Sequence, residues 1–186
     1  CGARGGVFAL GGSAGAAAGS TFKAFTLAAA LEKGESPYDY IRSPQRAVFE
    51  GFKNCKTGVP WGKVTMNNST GSGTFNMLSG TAFSINTYFM ALEEKITQCA
   101  PQALATRIGL TRGNGKPLQA NPTFTVGTDE VTPLGMASAY AVFANHGVKC
   151  NSTAIAQVTD RNGKDLRIPL AACKQLIQRK VADSVT

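Results

Sequence analysis

Histidine occurs once, as His146, and the cysteines Cys1, Cys55, Cys99, Cys150 and Cys173 form no C-x-x-C pair. A zinc site therefore has too few well-spaced ligands, and no cofactor is expected. Acidic residues are scarce, 11 against 19 Lys and Arg, for a net charge of +8. Such a balance suits anionic partners, yet the basic residues are scattered and no stripe interleaves them with aromatics, so nucleic acid is not an expected partner. No apolar run reaches the roughly 18 residues of a spanning helix, and Cys1-Gly2-Ala3-Arg4 lacks the features of an export signal. Membrane attachment is expected only through parts of a parent protein outside these residues.

What is present fits one globular domain: 186 residues, 43% hydrophobic and 16% charged. Chain order suggests disulfides Cys55–Cys99 and Cys150–Cys173 with Cys1 left over, although four cysteines allow three connectivities. Glycine and alanine dominate the first 19 residues, with a short strand expected at Val7–Leu10. Thr21–Lys33 predicts a helix with Ser20 at the capping position and Gly34 past its end. Its apolar residues spread over more than one face, as in a helix set inside a domain. A long irregular connection with short strands or turns follows, from Glu35 to Thr74. Further helices are expected at Met77–Lys95, Pro101–Ile108 and Thr132–Asn145, and Asn162-Gly163 signals a hairpin between Ala154–Thr159 and Asp165–Ile168.

The chemistry sits first in Gly19-Ser20-Thr21-Phe22-Lys23. Residues three apart at a helix start share a face, so the Ser20 hydroxyl and the Lys23 amine are expected to be neighbours. Serine needs a base to become a nucleophile, and a partly desolvated lysine can lose its proton and serve. Alone, this spacing is common, and a capping serine before a surface lysine is its ordinary meaning. A second element, Ser84-Ile85-Asn86-Thr87, changes the weighing.

Together with Phe25 to Glu32, the first element resembles the active-site helix of penicillin-binding proteins, and Ser84-Ile85-Asn86 resembles their S-x-N box. The stretch Glu130–Gly147 is similar to the segment after that box in class A, bifunctional cell-wall synthases. The resemblance implies an α+β fold, the transpeptidase fold shared with serine β-lactamases, of which residues 1–186 hold a partial domain and mostly the helical portion. It implies peptide cross-linking at the outer face of the bacterial cytoplasmic membrane: Ser20 is acylated by the D-Ala-D-Ala end of a stem peptide, and β-lactams trap the same serine. Lys23 would accept the Ser20 proton, Ser84 would relay a proton to the leaving nitrogen, and Asn86 would bond Lys23 or the substrate amide.

Three departures stand beside it. No Lys-Thr/Ser-Gly box follows Asn86; Lys56-Thr57-Gly58 has the letters but precedes the second box and reads as a loop coincidence. The expectation is that a C-terminal segment or a second chain supplies that strand. Ala18 and Ala24 replace prolines frequent in the family, without touching a reacting atom.

Alternative outcomes stay open: a D,D-carboxypeptidase, a serine β-lactamase (although Thr128–Thr132 does not resemble its E-x-x-L-N segment), or a non-catalytic module that binds wall peptide. His146 reads as a helix-end residue, Asp129 and Glu130 as acidic residues favoured at a helix start, and Tyr88, Phe89, Tyr140 and Phe143 as core.

Overall fold

The computed structural model describes residues 15–153, 155, 157–168 and 172–186. The expected strand at Val7–Leu10 and Cys1 lie outside them. Among these residues six helices form: α1 (Lys23–Glu32), α2 (Met77–Ala82), α3 (Asn86–Ile96), α4 (Cys99–Arg107), α5 (Pro133–Ala144) and α6 (Arg179–Val185). The strands form four two-stranded antiparallel ribbons: β1 (Ala16–Ala17) with β6 (Glu130–Val131), β2 (Ile41–Ser43) with β5 (Gly73–Phe75), β3 (Arg46–Phe49) with β4 (Val64–Asn67), and β7 (Val148–Cys150) with β8 (Cys173–Gln175). Helices and ribbons together make the expected α+β architecture, weighted toward helix.

α1 is the central element. Ala28, Ala29 and Ala30 are buried, and their small side chains let neighbouring helices approach its backbone. Phe22 and Phe25 fill the space toward Phe124 and Phe143, with ring centroids 4.9 and 6.0 Å apart. As expected, this helix is buried on several faces. Ser20, however, does not cap it: Gly19–Phe22 form a 3-10 turn continuous with α1, and no side chain caps either start.

The helix expected over Met77–Lys95 is two. α2 stops at Ala82, and its end is a Schellman motif: Ser84 N–H donates to Thr81 O and Ile85 N–H to Gly80 O, both 3.0 Å, with Ser84 left-handed at φ 52°. Gly80 permits the tight return, because a Cβ there would stand 2.6 Å from the Tyr88 ring. Other starts follow local rules, Asn76 and Ser79 forming a reciprocal capping box on α2, and Thr132 capping α5 with Pro133 as its first residue.

Two readings are corrected there. Asp129 accepts from the Gln119 N–H at 2.8 Å and Glu130 belongs to β6, so neither serves the α5 dipole. The hairpin around Asn162-Gly163 is reduced, among the described residues, to a bridge between Thr159 and Asp165. Both expected disulfides are present, Cys55–Cys99 and Cys150–Cys173.

Glu93 on α3 is fully buried, with Oε2 3.4 Å from the Thr125 N–H and Oε1 without a partner among the described residues. Burial raises its pKa well above 4.5, so the folded state holds the proton more tightly than the unfolded chain. Its contribution is therefore full below the unfolded pKa and falls as pH rises toward the folded one. Glu93→Gln is expected to stabilise the fold by about 1–2 kcal/mol, the scale of a badly matched buried polar group. The gain, read by urea unfolding, should be larger at pH 8 than at pH 5; a pH-independent difference would sink this account.

Candidate active site

Chain geometry brings Ser20 to the mouth of a cleft. β1 ends at Ala17, and Gly19, at φ +60°, turns the backbone sharply into the 3-10 segment. The turn is held from across the fold, since Gly19 N–H donates to Gly127 O at 3.1 Å and Ala18 N–H to Asp129 O at 3.4 Å. Gly127 is itself left-handed, and a Cβ on it would fall 2.1 Å from Gly19 O. Only glycine fits against the turn that presents Ser20.

One helical turn on, Lys23 is 4% exposed, and its Nζ lies 3.1 Å from Ser20 Oγ. The same nitrogen donates to Ser84 O at 2.7 Å, Ser84 Oγ at 2.9 Å and Asn86 Oδ1 at 2.7 Å. All four residues singled out in the sequence meet at this one atom. The Asn86 amide orientation follows from its other end, where Nδ2 donates to Asn67 O at 3.0 Å. Ser84 occupies the left-handed position where glycine is preferred, and there both its carbonyl and its hydroxyl reach Lys23.

The electrostatics suit a base. Burial lowers the Lys23 pKa from 10.5 to about 8, and none of its hydrogen-bond partners carries a charge to offset that. The Phe89 ring, 5.5 Å from Nζ, closes the inner side. At pH 7.4 about one amine in five is then neutral, against about one in a thousand for an ordinary lysine. A neutral amine has two N–H donors and one lone pair. The Ser84 carbonyl and the Asn86 amide oxygen can only accept, so they take the two N–H groups. The lone pair is left for the hydroxyls of Ser20 and Ser84. That arrangement lets Lys23 take a proton from one hydroxyl and pass one to the other.

The cleft measures about 520 Å3 and is lined by Ser20, Lys23, Ser84, Phe89 and Tyr140, among others. A larger groove of about 700 Å3 beside α5 and β7 contains none of the four residues. Tyr140 corrects the core reading: it is 39% exposed, faces the cleft, and donates from its hydroxyl to Thr21 O at 2.7 Å. Tyr88, Phe89 and Phe143 are core as expected, though Phe89 and Phe143 also line the cleft. Lys56-Thr57-Gly58 is an exposed turn organised by Asn54 and takes no part in the cleft lining. His146 sits beyond the end of α5 and pairs with Asp183 at 2.6 Å.

The family model of the penicillin-binding protein transpeptidase domain matches residues 13–185. This chain belongs to that family. Penicillin-binding protein 1A of Neisseria meningitidis is 32% identical over 148 residues, 78% of this chain and 17% of that protein. Penicillin-binding protein 1A of Mycobacterium tuberculosis is 30% identical over 190 residues, 93% of this chain and 22% of its own length. The chain thus spans about a fifth of the length of these relatives.

Among solved structures, PonA1 of M. tuberculosis superimposes with a TM-score of 0.74 at 28% identity, covering 100% of this chain and 48% of that one. The penicillin G acyl-enzyme complex of M. tuberculosis penicillin-binding protein A gives 0.75 at 18% identity, covering 96% and 44%; at that identity the likeness concerns the fold.

Proposed function

We propose that this chain is part of a D,D-transpeptidase domain that forms peptidoglycan cross-links through an acyl-enzyme on Ser20, at the outer face of the bacterial cytoplasmic membrane. The observation that carries it is the Lys23 amine, nearly fully buried and shared by Ser20, Ser84 and Asn86. Neutral Lys23 takes the Ser20 hydroxyl proton as Oγ bonds to the penultimate carbonyl carbon of a D-Ala-D-Ala stem peptide. The Ser20 N–H, in the first turn of the 3-10 segment and lacking an intrahelical acceptor, is positioned to stabilise the oxyanion. Collapse of the tetrahedral intermediate breaks the C–N bond, and a proton relayed through Ser84 goes to the departing D-Ala nitrogen. The amine of a neighbouring stem peptide then attacks the ester, losing a proton through the same pair and regenerating the Ser20 hydroxyl. β-Lactams occupy the same cleft and leave a slowly resolved ester. The Lys-Thr/Ser-Gly strand of the family would come from a further C-terminal segment of a parent protein, or from a second chain.

The test is the fate of the acyl group. With an acylated D-Ala-D-Ala peptide and a D-amino acid as amine acceptor, the expected products are free D-Ala and the acceptor amide, the latter growing with acceptor concentration. D-Ala release with only the hydrolysed peptide, at every acceptor concentration, contradicts transpeptidation in favour of carboxypeptidation.

A further inference from the structure

Two consecutive residues leaving β4 take hold of two consecutive residues at the start of α3. Asn67 offers its main-chain oxygen to the Asn86 side chain, Nδ2 to O 3.0 Å. Asn68 uses its own side chain on Thr87: Oδ1 accepts from the Thr87 N–H at 2.8 Å, and Nδ2 donates to Thr87 Oγ1 at 2.9 Å and to Pro44 O at 3.1 Å. Thr87 Oγ1 closes the figure by donating to Pro44 O at 3.0 Å. Both residues are buried, Asn68 6% and Thr87 1% exposed. The Asn68 backbone is in turn fixed to the segment before β3, its N–H donating to Gln45 O at 2.9 Å.

A helix start has N–H groups without intrahelical acceptors, and here the acceptor for the second of them comes from another element. No side chain of the local sequence caps α3, so this contact supplies what a cap would. Just before it, Ser84 stands in a left-handed conformation that a non-glycine residue resists, and the chain from Ser84 to Thr87 tends to relax unless it is held. The hold also fixes the spacing between Asn67 O and the Asn86 amide, which turns Asn86 Oδ1 toward Lys23.

We propose that Asn68 is a positioning residue: by clamping Thr87 it fixes the first turn of α3 so that Asn86 and Ser84 meet Lys23. Its consequence for rate rests on the acyl-transfer role of Ser20, whereas its consequence for Lys23 does not. Asn86 Oδ1 accepts more strongly from the ammonium than from the amine, so loosening it makes Lys23 easier to deprotonate.

The experiment therefore has two readouts on the same chain. Carbon NMR of the Lys23 Cε across pH is expected to show a midpoint near 8 in the wild type and a lower one in Asn68→Ala. Acylation by a fluorescent penicillin is expected to slow by about tenfold to a hundredfold in Asn68→Ala, the scale of a small misplacement of a reacting constellation. In an Asn86→Ala background the same change should cost clearly less than in the wild type, because one of the two residues through which Asn68 acts is gone. Asn68→Asp, which keeps an oxygen for the Thr87 N–H but sets an acceptor against Pro44 O, should restore the rate only in part.

Should Asn68→Ala fail to fold, Asn68→Ser, too short to span to the Thr87 N–H, carries the same expectations. An unmoved Lys23 midpoint, or rate losses that simply multiply in the double variant, overturns the proposal. A shifted midpoint in a protein that no penicillin acylates, even with the Lys-Thr/Ser-Gly segment supplied, would instead keep the clamp and remove the transpeptidase reading.

Discussion

Lys23→Ala is expected to slow acylation of Ser20 by benzylpenicillin about a thousandfold, within the range that a positioned general base contributes. The change removes the lone pair that faces Ser20 Oγ at 3.1 Å, and among the described residues no other titratable side chain shares a hydrogen bond with either hydroxyl. In the wild type the rate should rise with pH with a midpoint near 8, since the base works only as the neutral amine and that fraction grows through its pKa. Lys23→Arg sharpens the test: a guanidinium keeps its charge throughout this range, so its rate should be as low as that of the alanine variant, without the Lys23 midpoint. Stopped-flow acylation rates between pH 6 and 10 read both effects. An arginine variant within tenfold of wild type contradicts the role given to Lys23.

Removing the Cys55–Cys99 bridge is expected to be the largest single loss of stability. The bridge closes 44 residues of separation, for which the chain-entropy relation gives about 4 kcal/mol; Cys150–Cys173, over 23, gives about 3.4 kcal/mol. In space the longer bridge fastens the turn at Asn54–Gly58 to the start of α4, where Gln98 Nε2 also donates to Lys53 O. Cys55→Ser with Cys99→Ser should lower Tm by about 10 °C for a chain of this size, seen by calorimetry. Neither bridge lines the Ser20 cleft, so the folded double variant should be acylated at the wild-type rate. A Tm within 3 °C of wild type contradicts the stabilising role, and a stable but unreactive variant contradicts its separation from the site. Covalent closures of this kind suit the oxidising side of a membrane, where the family's chemistry takes place.

The parts of this molecule that were legible in the sequence are those in which local spacing dictates geometry. Ser20 and Lys23 share a face because they are three apart in helical backbone, and α1, α4 and α5 carry their own formers and stops. Ser84 and Asn86 were found as a motif, but what brings them to Lys23 was hidden in the fold. Periodicity runs unbroken from Met77 to Lys95, so nothing local announces the Schellman turn at Phe83–Ile85; Gly80 against Tyr88 and Lys23 against Ser84 create it. Gly127 was equally silent, since its requirement comes from Gly19, 108 positions away.

Tyr140 followed the apolar pattern of α5 and so read as core, although its ring lines the cleft and its hydroxyl donates to Thr21 O. Asn67 and Asn68 fell unmarked within the irregular connection from Glu35 to Thr74; their hold on Asn86 and Thr87 is a tertiary contact with no spacing signature. The ribbons escaped detail because two to four residues are too short for strand alternation to show.

The central claim, that Ser20 is the acylated nucleophile of this chain, is tested most directly by intact-mass spectrometry after incubation with benzylpenicillin, followed by peptide mapping. The account predicts a gain of one benzylpenicillin mass, located on the peptide containing Ser20 and absent from Ser20→Ala. An unmodified chain even when the Lys-Thr/Ser-Gly segment is supplied, or an adduct that persists in Ser20→Ala, would contradict it.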